Sequence, residues 1–116
     1  MQQTEIPIIH KTYELYRLLH DLQRTVSKME RHTLWQRSEN SALDVLEGLL
    51  LAGYLTPERR LEQLLHVSAR LDMLRVFLRL SLDVKAINQK KYISLQQAID
   101  EIGRMLGGWL KSLRQK

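Results

Sequence analysis

The chain has 116 residues, 44% of them hydrophobic, and contains no cysteine. A chain of this length can bury one modest core, so we predict a single domain over residues 1–116. The lack of cysteine excludes disulfides, thiolate nucleophiles and thiolate metal sites. We find neither an uninterrupted apolar stretch of about 18 residues nor the basic-then-apolar layout of a secretory signal, so we expect a cytoplasmic protein without a membrane role.

The formal net charge of +5 is unevenly distributed along the chain. Residues 1–53 carry 6 basic and 7 acidic side chains, whereas residues 54–116 carry 12 basic and 6 acidic ones. Such asymmetry indicates an anionic partner, most often nucleic acid, although mildly basic domains without such a partner are common.

Apolar residues recur at helical spacing in four segments, and strand patterns are missing. Capping-box patterns begin at Thr33 and Ser94, Gly53 is a typical left-handed helix terminator, and Thr56 with Pro57 is a typical helix start. We therefore predict an all-α, antiparallel four-helix bundle. Its helices cover approximately residues 7–28, 33–53, 57–87 and 94–114.

The third predicted helix carries two apolar stripes when residues are placed about 100° apart around its axis. The first stripe suits a bundle core and consists of Leu64, Val67, Leu71, Leu74, Leu78 and Leu82. The second stripe lies nearly opposite and consists of Met73, Val76, Phe77, Leu80 and Val84. A four-helix monomer has nothing to cover the second stripe, so we predict a subunit interface there. A tilted helix that buries both stripes within one bundle is the alternative.

Two glycines, Gly103 and Gly107, lie four residues apart in the fourth predicted helix. Each lowers helix stability by up to about 1 kcal/mol relative to Ala. A close helix approach compensates for this loss, so we assign both glycines to the same subunit interface. Glycines that a stable helix simply tolerates are the alternative.

Arg75 and Arg79 lie one helical turn apart, between the two stripes. Asp72 and Asp83 flank them at spacings of three and four, so the four residues can form a self-neutralising ladder on a solvated face. In a ring of subunits, however, the two guanidinium groups are repeated and concentrate positive potential, and Arg suits forked contacts with phosphate. The residues alone leave both interpretations open.

The segments LDMLRVFLRL (71–80) and EIGRMLGGWL (101–110) resemble the accessory variability determinant proteins of diversity-generating retroelements. These belong to a wider group of four-helix-bundle proteins that includes those encoded in ribosomal-RNA intervening sequences. The resemblance implies a non-catalytic, ring-like homopentamer with a basic inner surface. Such a protein associates with the reverse transcriptase and binds RNA or DNA to support cDNA synthesis in mutagenic retrohoming. The alternative is a homo-oligomeric bundle of the intervening-sequence type without a retroelement partner.

Both motifs of the family have counterparts in this chain. The resemblance implies a functional role for Arg75 and Arg79, and mainly a packing role for the segment that contains Gly103, Gly107 and Trp109. We predict a nucleic-acid-binding surface formed by Arg75, Arg79, Lys85, Lys90, Lys91 and Arg104.

Candidate catalytic groups do not converge in the sequence. The four histidines are scattered without the i,i+4 spacing of metal ligands, and neither a Gly-rich phosphate loop nor a nucleophile with an obvious base is found. We therefore expect no enzyme activity, metal site, cofactor or small-molecule substrate.

Overall fold

The computed structural model describes residues 5–115, and four long helices account for most of them. These are α1 (Glu5–Leu22), α2 (Leu34–Ala52), α3 (Pro57–Asp83) and α4 (Gln89–Arg114). A 3-10 turn at Gln23–Thr25 and a one-turn helix at Lys28–Arg31 connect α1 to α2. The described part of the chain contains no strand, which confirms the predicted all-α four-helix fold.

Helices α2 and α3 pack against each other in opposite directions. Near the turn between them, Gln63 Nε2 donates to the carbonyl of Gly48 at 3.3 Å. At the far end, the guanidinium of Arg37 lies 5.3 Å from the ring centroid of Phe77. A Cβ atom on Gly48 would lie 2.6 Å from Val67 Cγ2, so glycine permits the close approach of the two helices.

The core contains the first stripe of α3 and side chains from the other helices. Trp35 is fully buried, and its Nε1 donates to the carbonyl of Leu19 at 3.1 Å, which ties α2 to α1. Leu82 is half-buried, whereas Ser81 is buried and donates from its Oγ to the carbonyl of Phe77 at 2.9 Å. The other members of the first stripe are all buried: Leu64, Val67, Leu71, Leu74 and Leu78.

The sequence predicts one helix over residues 7–28, but α1 ends at Leu22. The chain turns at Val26, whose backbone is extended with φ −86° and ψ 140°. Arg31 holds this turn by donating to the carbonyls of Gln23 and Val26, both at 3.2 Å. The turn contains neither Gly nor Pro, so composition gives no signal for it.

The predicted bounds of the second helix hold to within one residue, and Thr33 and Gly53 are its N-cap and C-cap residues, but neither has the predicted capping geometry. Thr33 Oγ1 does not cap α2 and instead donates to the carbonyl of Met29 at 3.1 Å. Gly53 has φ −62° and ψ −22°, which is right-handed. Arg60 Nε donates to the carbonyl of Ala52 at 2.9 Å, and the same carbonyl accepts from the Leu55 N–H at 3.2 Å, so this helix end is satisfied without a left-handed residue.

Helix α3 begins at Pro57 as predicted but ends at Asp83 rather than at residue 87. Lys85 has φ 64°, and the Ala86 N–H donates to the carbonyl of Ser81 at 2.8 Å. This is a Schellman ending with a lysine in the left-handed position that glycine usually occupies.

Helix α4 begins at Gln89, so the predicted start at Ser94 is wrong. Asn88 is the N-cap, and its Oδ1 accepts a hydrogen bond from the Lys91 N–H at 2.8 Å. The earlier start adds more than one turn to α4.

Candidate nucleic-acid interface

A groove of about 440 Å³ lies between α3 and α4 and contains part of the predicted binding surface. Arg75 enters it from α3, and Arg104 lines it from α4. The side chains of Asp72 and Asp100 also line this groove, so it contains charges of both signs.

Arg75 bridges the two helices. Its Nη1 donates to Asp100 Oδ1 on α4, and its Nε lies 3.7 Å from Asp72 Oδ1 on α3. A Cβ on Gly103 would lie 2.9 Å from Arg75 Nη2, so glycine leaves room for the guanidinium. The charge of Arg75 is therefore opposed by two carboxylates.

Arg79 belongs to the ladder that the sequence predicts as an alternative. Its Nε lies 3.2 Å from Asp83 Oδ1, and both side chains are more than half exposed. An exposed pair of this kind contributes only about 0.3–0.5 kcal/mol, so phosphate can compete with Asp83 for Arg79. The ladder is present, and it does not remove Arg79 from a binding surface.

The other four predicted cations have no carboxylate within ion-pair distance among residues 5–115. Lys85 lies in the turn after α3, Lys90 and Lys91 lie in the first turn of α4, and Arg104 is exposed beside the groove. The structure therefore divides the predicted surface into two paired arginines and four unpaired cations.

The second stripe is not covered by the described residues of the chain. Met73, Val76, Leu80 and Val84 are 44–51% exposed, and Phe77 is half-buried under Arg37. The alternative of a tilted helix that buries both stripes is therefore wrong for the single chain. A second groove of about 430 Å³ extends the apolar surface between α2 and α3, where Phe77 and Leu80 line it.

The two glycines assigned to the interface have different surroundings. Gly103 faces Arg75 and Leu71 of α3 in the same chain, and its place at a subunit interface stays a prediction. A Cβ on Gly107 would meet no atom within 4 Å, and the same holds for Gly108. Gly107 thus has no packing partner in the described chain, and its place at a subunit interface stays a prediction.

A family model described as bAvd-like matches residues 7–113 of the chain. The chain belongs to the bAvd-like family. This confirms the interpretation as an accessory variability determinant protein, and it extends the likeness from the motifs of α3 and α4 to all four helices. Curated proteins give no match to the chain.

Metal sites and membrane spans are two further features that the described part of this bAvd-like chain lacks. Within residues 5–115, no cluster of three or more His, Asp or Glu side chains has the arrangement to hold a metal ion. In the same part of the chain, none of the helices is long and apolar enough to cross a membrane.

Two contacts that line the grooves of the bAvd-like chain are not predicted from its sequence. Asp100 is 25 positions from Arg75, and their contact depends on the register between α3 and α4. Arg37 over Phe77 also depends on register, here between α2 and α3. The Asn88 cap gives the start of α4, but no local signal marks Asp100 as the partner of Arg75.

Proposed function

We propose that this bAvd-like protein is a non-catalytic accessory protein of a diversity-generating retroelement. It binds nucleic acid and the reverse transcriptase, and it supports cDNA synthesis during mutagenic retrohoming. Family membership supports this role. The observation that carries it is the arrangement on α3, where an uncovered apolar stripe lies beside Arg75 and Arg79.

The proposed assembly is a ring-like homopentamer in which each second stripe packs against a neighbouring copy. Four of its five side chains are exposed in the isolated chain, and contiguous apolar surface of this kind marks protein interfaces. Repetition of the subunit around a ring places the same basic surface side by side in every copy. The assembly therefore multiplies a modest charge of +5 per chain.

The proposed nucleic-acid contacts are to phosphate. Lys and Arg side chains neutralise phosphates and release counterions, so affinity falls steeply with salt and varies little with sequence. The cations proposed for these contacts are Arg75, Arg79, Lys85, Lys90, Lys91 and Arg104.

The test combines a native mass measurement with filter binding. We expect a homo-oligomer that retains labelled mixed-sequence RNA or DNA at low salt and releases it as salt rises. A monomer, or an assembly that binds neither RNA nor DNA at low salt, would contradict the proposal. Copurification of an untagged reverse transcriptase with the tagged protein tests binding to the reverse transcriptase. If the reverse transcriptase fails to copurify at every salt concentration, the proposed binding to it is contradicted.

The genomic neighbourhood separates this proposal from the intervening-sequence alternative. A neighbouring reverse transcriptase gene with paired template and variable repeats supports the retroelement role. Insertion of the coding sequence within a ribosomal-RNA gene supports the alternative, which needs no retroelement partner.

A further inference from the structure

Helix α4 carries positive charge that nothing else in the described chain compensates. Its two acidic residues are both engaged by cations of other helices: Asp100 by Arg75 of α3, and Glu101 by Lys11 of α1 at 3.6 Å. No ion pair joins a cation of α4 to a carboxylate among residues 5–115. These unpaired cations are Lys90, Lys91, Arg104, Lys111 and Arg114.

Three of these cations lie in a straight row together with one uncharged glutamine. Lys90, Gln97, Arg104 and Lys111 follow one another at intervals of seven residues, and all four are exposed. We call these four residues the α4 row. Seven residues correspond to nearly two turns, so the row runs about 30 Å along one side of the helix. The backbone of an extended polyanion can lie along a row of this length.

No side chains of the described residues cover the helix backbone at two positions beside the α4 row. Gly107 and Gly108 are exposed, and a Cβ on either would meet no atom within 4 Å. Each glycine disfavours the helix by about 1 kcal/mol relative to Ala, and no packing within the described chain requires them. Their position between Arg104 and Lys111 leaves the helix backbone open to a close approach from outside.

The start of α4 shows a further unfavourable placement of charge. Lys90 and Lys91 lie in its first turn, where the helix macrodipole favours negative side chains, and no acidic residue lies there. The arrangement opposes helix stability and increases positive potential at one end of the α4 row. An anionic ligand along the row accounts for this arrangement.

We infer that the face of α4 that carries the α4 row is the phosphate-binding surface, and that Arg75 supports it by neutralising Asp100. The ligand is a phosphodiester backbone, RNA or DNA, that lies along the α4 row. Arg75 is then a positioning residue that removes the negative charge of Asp100 from this face. The inference rests on the proposed nucleic-acid function and changes which residues perform it.

The first test removes charge from the α4 row of the native assembly. The variant Lys90→Gln/Arg104→Gln/Lys111→Gln is compared with Arg17→Gln/Arg24→Gln/Lys28→Gln, which removes the same charge from exposed positions before α2. Binding of a labelled mixed-sequence RNA strand, its duplex and the matching DNA is measured over a range of salt.

We expect the salt slope of log affinity to shrink by about two to three units for the α4-row variant, because each lost phosphate contact removes about 0.7–0.9 unit. The control variant should keep nearly the slope of the unaltered protein. Equal losses in the two variants, with native mass and helix content preserved, would overturn the inference because net charge alone would then explain binding.

The second test separates the two roles open to Arg75. Arg75→Ala uncovers Asp100 and should weaken binding, whereas Arg75→Ala/Asp100→Asn keeps the net charge of the unaltered protein and should restore its affinity. A double variant that binds as weakly as Arg75→Ala would show that Arg75 itself contacts phosphate. If the unaltered assembly binds neither RNA nor DNA, the proposed function fails as well, and this outcome differs from failure of the α4 surface alone.

Discussion

Lys85 occupies a backbone conformation that lysine seldom adopts. Its φ of 64° lies in the left-handed region, and its N–H donates to the carbonyl of Leu82 at 3.0 Å in the turn that ends α3. For a residue with a Cβ atom, the left-handed conformation is unfavourable by about 1–2 kcal/mol. Lys85 also belongs to the predicted nucleic-acid-binding surface, and it has no carboxylate within ion-pair distance among residues 5–115.

We predict that Lys85→Gly stabilises the fold. Glycine removes the strain of the left-handed conformation but increases the entropy of the unfolded chain, so the free energy of unfolding should rise by about 0.5–1 kcal/mol. Urea titration at matched protein concentration measures the change. Lys85→Ala removes the same charge but keeps a Cβ, so a gain as large as that of the glycine variant would contradict the backbone explanation.

Glu39 gives the stability a dependence on pH. Burial raises the pKa of Glu39 above its ordinary value of 4.5, the electrostatic interaction with His20 partly opposes this, and Oε1 of Glu39 has no hydrogen-bond partner among residues 5–115. Folding therefore favours the protonated carboxyl. The stabilisation is complete below the ordinary pKa and is lost as the pH rises through the raised value.

We predict that Glu39→Gln is more stable than the unaltered protein at neutral pH, and that this advantage shrinks as the pH falls towards the ordinary pKa of a glutamate. The amide keeps the shape of the side chain without its charge, so it avoids the unfavourable burial of a carboxylate. Urea titrations across this pH range measure the difference. The exposed Glu47 on the same helix is the control, and an equal advantage for Glu47→Gln would show that only net charge matters.

At the scale of the helices, Asn88 marks the start of α4. Asn88 caps the helix through the Lys91 N–H, whereas Ser94 lies exposed within the helix. We predict that Asn88→Ala lowers the free energy of unfolding by about 1 kcal/mol, because a backbone donor loses its partner. Ser94→Ala should be nearly neutral. Urea titration compares the two, and a larger loss for Ser94→Ala would contradict the observed helix start.

The bounds and faces of the helices were predictable where a local sequence signal determines them. Pro57 marks the start of α3 correctly, and the apolar periodicity of α3 separates its buried and exposed stripes. The sequence did not predict the end of α1, because Arg31 holds that turn through carbonyls of other residues. The candidate site was predictable as a set of cations, but the Arg75–Asp100 pair depends on the register of two helices.

At the scale of the whole molecule, α3 contributes to two surfaces with different chemistry. On the side of α2, the second stripe and the neighbouring groove present apolar area that the chain does not cover. On the side of α4, Arg75 crosses to Asp100 and leaves the cations of α4 unpaired. In the proposed arrangement, assembly uses the second stripe of α3 and nucleic acid lies along α4, so a substitution can affect assembly without directly removing a phosphate contact.

We predict that Val76→Gln/Leu80→Gln dissociates the assembly without unfolding the subunit. Both side chains are about half exposed in the single chain, so polar replacements leave its core intact but disfavour burial against a neighbouring copy. Native mass measurement should give a monomer with unchanged helix content. The matched control is Leu43→Gln/Leu50→Gln, which alters exposed leucines of α2 outside the second stripe and should leave the assembly whole.

Dissociation should also weaken nucleic-acid binding, although the substituted residues contact no phosphate in the proposed arrangement. An oligomer places several α4 faces on one strand, and each additional contact is then intramolecular, so affinity exceeds that of a single subunit by about 10²–10⁴. Filter binding of the monomeric variant should show this loss together with a smaller salt slope. A monomer that binds as tightly as the unaltered protein would mean that one α4 face suffices and that the ring serves another purpose.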